Sequence, residues 1–176
     1  MSFKNCNFDE TNADNNMVKI YRPGAIGALL DEYERAIAEL KLVITDITDD
    51  DLVKIVDPDT ASEHCRSIQT VLTHVVSSGY VYATCIFNLK GHNLARPEEI
   101  LRFTVKAYRD DLDSVFTFTE SVFNEIKDNE LEQMDAALKI NSRWGQLYDI
   151  EQMTEHAIVH ILRHRRQIEK FKLLLG

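Results

Sequence analysis

Cysteines are few, basic charge is outweighed and strand patterning is missing in this sequence, and each shortage removes a class of protein. The three cysteines, Cys6, Cys65 and Cys85, are odd in number, widely spaced and outside any CxxC pattern, so they read as reduced cytosolic thiols. Basic residues number 20 against 29 acidic ones, and the resulting net charge of −9 repels phosphate backbones and anionic lipid surfaces. Nucleic acid and membrane are therefore poor partners. Residues 1–17 lack the apolar run of a signal peptide, and no later stretch reads as apolar over the length of a bilayer span. No segment alternates convincingly as a strand.

What is present is helical periodicity. At 176 residues and 44% hydrophobic, the chain fits one globular domain over 21–176, preceded by a polar, Asn- and Asp-rich flexible segment over 1–20. After the Pro23-Gly24 breaker, Ile26, Leu29, Leu30, Tyr33, Ile37, Leu40 and Ile44 recur at steps of three and four and predict a helix over about 25–45. The acidic stretch from Asp46 to Asp51, followed by Pro58, predicts a solvated connection with room for one helical turn, lacking the glycine and terminal glutamate of a calcium-binding loop. A second long helix is expected from the N-cap Ser67 to Gly91, with His74 at the flank of its apolar stripe on the side of Ser78 and Cys85. Cys85 reads as a small core residue.

A third helix is expected to open at Pro97, with Glu98 and Glu99 in its first turn and Ile100 and Leu101 on its inner face. Asp110, Asp111 and Asp113 then fall on its solvated side, although a carboxylate there suits a two-histidine, one-carboxylate iron site. Residues 127–148 have weak periodicity, with Leu131, Met134, Leu138, Ile140 and Trp144 as anchors, and are expected to cross one end of the bundle; Trp144 fits a core plug better than a pocket wall. The last helix is expected from Asp149, an N-cap with Gln152 three residues on, to about Leu175. Four amphipathic helices make an all-α four-helix bundle the natural architecture.

The last helix carries HAIVHILRHRRQ, residues 156–167, with three histidines four residues apart. Taking the shared direction of Met153 and Phe171 as zero at 100° per residue, His164 lies at about +20°, His160 at about −20° and His156 at about −60°. The core stripe of Ala157, Ile161, Ile168 and Leu175 spans about 40° to 80°, so His160 and His164 point inward and His156 lines a rim. Two imidazoles at this spacing can grip one metal ion, and His74 can meet them across the bundle interior. Three neutral imidazoles leave coordination positions open, the pattern of a catalytic rather than a structural site.

His160 to Gln167, HILRHRRQ, resembles the HxxxHRxQ signature that closes the DinB/YfiT superfamily of bacterial four-helix proteins, and Arg66 to His74, RSIQTVLTH, is similar to the element ending in that family's first histidine. The resemblance covers roughly 20–175 and includes the long connection before the last helix. It implies a four-helix bundle of that type and a divalent metal held by His74, His160 and His164. It also implies a homodimer in the cytoplasm and activities that include thiol-dependent S-transfer with low-molecular-weight thiols and isomerisation. Arg166 stands where the family commonly has glycine, on the outer face, away from the ligands.

Together these readings lead to a metal-dependent enzyme, a hydrolase or thiol S-transferase in class. Zinc or nickel lowers the pKa of a bound thiol or water, and a small electrophile reacts beside it. Gln167, about 20° from His160, can orient an imidazole or fill a polar gap. His156 is a further outer contact or a rim histidine. The alternatives from another class are a non-catalytic binding or dimerisation module whose histidines pack the core or hold a structural ion, and a stress-response protein whose chemistry is lost.

Overall fold

Each long helix starts where a side chain satisfies the amides its first turn leaves unpaired. The computed structural model describes residues 20–176; residues 1–19, which include Cys6 and nearly all of the segment expected to be flexible, lie outside the described residues. Helix α1 (Gly24–Val43) opens on Gly24 at φ +78°, and its Ala25 and Ile26 amides donate to the Asp128 carboxylate, each at 3.1 Å. A short α2 (Asp49–Val53) is the helical turn expected in the acidic connection, capped by Thr48. Helix α3 (Ile68–Leu89) begins in a capping box between Ser67 and Thr70, and the chain leaves it through Gly91 at φ +93°. Helix α5 (Ile150–Leu175) begins in the expected box between Asp149 and Gln152.

Helix α4 (Val105–Phe123) starts eight residues later than Pro97 suggests. Thr104 accepts from the Ala107 amide and the Asp49 carboxylate takes the Val105 amide at 2.8 Å, so two caps at 104–105 outweigh the proline signal. The displaced residues Ile100 and Leu101 lie in an extended segment, each about half exposed. Asp110, Asp111 and Asp113 are on the outer face as expected and engage Lys106, Arg102 and Lys41, so none supplies a carboxylate to the histidines.

The protein is all-α, with α1 packed against α4 and α5, and α3 packed against the same two helices. Helices α1 and α3 are therefore diagonal, as are α4 and α5, which explains why the connections 44–67 and 124–149 are long. Tyr33, Leu40, Leu72, Ile86, Tyr108, Leu112, Met153 and Ile168 fill the shared core. In the 124–149 connection Leu131 and Ile140 are buried, whereas Met134 and Leu138 are exposed. The connection also holds a two-residue hairpin, β1 (Ile140–Asn141) with β2 (Leu147–Tyr148), antiparallel with Ile140 opposite Tyr148, a pairing too short to show as alternation.

Among the described residues α3 is the one helix long and apolar enough to cross a bilayer, which corrects the sequence reading that no later stretch is. Its apolarity has a tertiary cause: it packs against both α4 and α5, and its inner face includes Ile68, Val71, Leu72, Val75 and Ile86.

Candidate metal centre

The inner edge of α3 meets the inner edge of α5 at three imidazoles. One ligand nitrogen from each of His74, His160 and His164 lies within 4.8 Å of the others. His74 Nε2 and His160 Nε2 are 3.0 Å apart. With metal–nitrogen bonds of about 2.0–2.1 Å in a tetrahedron, two ligands of one zinc sit about 3.3–3.4 Å apart, so this pair needs to open by only a few tenths of an ångström to share an ion. The residues present fit a divalent metal by both spacing and donor type, and the imidazole set suits zinc, nickel, copper or iron.

Burial drives all three histidines toward the neutral form. His160 is pushed down to about 3 and His74 to about 4, in each case chiefly by burial, with repulsion from neighbouring histidines adding to it. His164 is also lowered by burial, opposed by its bond to Gln167. That bond joins His164 Nδ1 to the Gln167 amide oxygen at 2.9 Å. An amide oxygen only accepts, so Nδ1 carries the proton and Nε2 keeps its lone pair. Gln167 thus orients His164, not His160, and its oxygen lies 3.8 Å from the Cys65 thiol. The bond is possible because Gln167 is one turn beyond His164 on the same side of α5.

His156 is half-buried at the rim side of the stripe, as its angle indicates. It stacks on Trp144 with ring centres 5.0 Å apart and meets the edge of Tyr82 at 5.3 Å. Trp144 is 45% exposed, so it lines a pocket and does not plug the core, against the sequence expectation. His64 was not singled out by periodicity because it sits in a single 3₁₀ turn, Glu63–Cys65, outside any long helix. It stacks on His74 at 4.9 Å and pairs with Glu99 at 3.7 Å. Its one sequence signal is position, three residues ahead of the cap that starts α3. Cys85 is half-buried on α3, and burial raises its thiol.

The histidines face a cleft of about 510 Å3 that His64, His74, His156 and His160 share with Tyr82 and Trp144. Its size is that of a small-molecule site. Arg96 and Glu99 enter it from the segment before α4, and Arg143 from the hairpin turn. Arg166 is exposed on the outer face of α5.

No family model matches the chain, and no curated protein matches it. Among solved structures it is similar to one described as the crystal structure of the conserved protein of locus from Enterococcus faecalis, with a TM-score of 0.62 over 87% of this chain and 98% of that one. The two share 14% of their residues, so the likeness extends to the fold alone.

Proposed function

We propose that this chain is a DinB/YfiT-type metal-dependent protein that binds one divalent ion, zinc or nickel, on His74, His160 and His164 and uses it in thiol-dependent transfer to a small electrophile. The observation that carries the reading is the convergence of three neutral imidazole nitrogens within 4.8 Å, on His74 and His160 at the wall of a small-molecule cleft and on the buried His164 behind them. When bound, the metal supplies a charge that lowers the pKa of a thiol or water at its open position. The chain's own contribution is orientation and water exclusion. Gln167 holds His164 in one tautomer, and the half-buried His156, braced by Trp144, forms one wall.

Elemental analysis of untagged protein tests the metal reading, with stoichiometric metal expected in the wild type and its loss in His160→Ala/His164→Ala. Metal-free wild-type protein of normal stability would sink it. A screen for thiol consumption with electrophiles then tests the transferase, and activity that survives His74→Ala contradicts the mechanism. One observation favours the alternative of a non-catalytic helical module: His74 and His160 hydrogen-bond one another and so satisfy part of their polarity without an ion.

A further inference from the structure

Two arginines, Arg96 and Arg143, line the cleft. Arg22, Arg35, Arg66, Arg102 and Arg165 each pair with a carboxylate. Arg96 and Arg143 reach the histidine cleft from different segments, and among the described residues neither has a carboxylate within ion-pair distance. Arg109, Arg163 and Arg166 also lack one among the described residues, and of these five arginines it is Arg96 and Arg143 that line the cleft. The acid that shares their cleft, Glu99, pairs with His64 at 3.7 Å. Guanidinium groups left free at a concave surface favour a planar carboxylate, which they hold through two parallel hydrogen bonds.

The second feature is a flat apolar wall held in place before any ligand arrives. Trp144 is stacked against His156 with 20° between the ring planes, and its indole N–H donates to Gln146 at 3.0 Å. The edge of Tyr82 supports it, with ring centres 6.2 Å apart. An indole fixed in this way and still 45% exposed offers area to a flat ligand at little entropic cost. Ser77 and Ser78 also line the cleft.

We propose that the cleft selects small organic anions that carry a carboxylate and a flat conjugated or aromatic portion, with Arg96 and Arg143 binding the carboxylate and Trp144 stacking on the flat part. This rests on the cleft being the substrate site of the function proposed above.

Trp144 is the chain's one tryptophan, so its fluorescence reports on this wall without a label. Full-length protein stripped with a chelator is titrated with benzoate and with its neutral isostere benzamide. Benzoate is expected to give a saturable change at about tenfold lower concentration than benzamide, the size of one charge-assisted interaction. Arg96→Gln/Arg143→Gln weakens benzoate by about tenfold or more, leaves benzamide where it was, and keeps the wild-type helicity by circular dichroism. Equal responses to the two probes, benzoate binding that ignores the arginine substitutions, or no saturable benzoate binding by fluorescence and equilibrium dialysis overturns the proposal. The same titration in His160→Ala/His164→Ala separates it from the metal reading. Benzoate binding unchanged in that variant supports the arginine site whether or not metal binds, whereas loss there with retention in the arginine variant places the anion on the histidines and overturns it.

Discussion

Gln167 acts on His164 through one hydrogen bond of 2.9 Å, and that bond decides which imidazole nitrogen is free. Wheel geometry puts Gln167 within about 20° of His160, yet the amide reaches the histidine one turn back because helical side chains at i and i+3 lie close together. The residue was legible in the sequence; its partner was not. Gln167→Leu removes the acceptor at similar volume, and weakening of metal affinity by about 10- to 100-fold is expected, read by competition with a chromophoric chelator. Unchanged affinity in a folded variant would show that His164 needs no such support. His64 and Trp144 mark the opposite case. Neither lies on a periodic face, and each reaches the cleft only because a short turn or hairpin is pinned beside a helix.

At the scale of the element, caps and periodicity located α3 and α5 to within a residue, because Ser67 with Thr70 and Asp149 with Gln152 are local interactions. The start of α4 was misread because its Val105 amide is held by Asp49, 56 positions earlier in the chain. The cap of α1 is likewise remote, supplied by Asp128 across the bundle. Helices approach closely at Gly79 of α3, where an added Cβ would stand 2.8 Å from Val115 Cγ2 of α4 and 3.2 Å from the Tyr33 hydroxyl of α1. Two opposing effects meet there. Alanine gains about 1 kcal/mol in helix propensity, but overpacking a stiff, buried β-branched neighbour costs about 1–3 kcal/mol. The cost wins, and Gly79→Ala should lower stability by roughly 1 kcal/mol in urea unfolding. A stabilised variant would mean that α3 and α4 approach less closely.

Across the whole molecule the buried histidines tie stability to pH. In the unfolded chain each titrates at its usual value of about 6.5, whereas in the fold burial pushes His74 down to about 4 and His160 to about 3. The unfolded state therefore binds more protons over that interval, so the stability from neutral histidines is complete above about pH 6.5 and is lost as pH falls toward 4. Each extra proton contributes a slope of up to about 1.4 kcal/mol per pH unit. Metal-free protein should lose urea resistance from pH 7 to pH 4.5, and His160→Gln should flatten that fall. An equally steep fall in the variant would assign the dependence to carboxylates.

The helical class, the starts of α3 and α5 and the inward direction of His160 and His164 were legible in the chain alone, because each depends on residues within a turn or two of one another. Only the tertiary structure decided that His74 stands 3.0 Å from His160 across 86 positions of chain, that His64 stacks on His74, and that Trp144 leaves the core to wall a cleft. Those contacts follow from how α3 and α5 pack and where the loops between helices are anchored, and local periodicity carries no record of either.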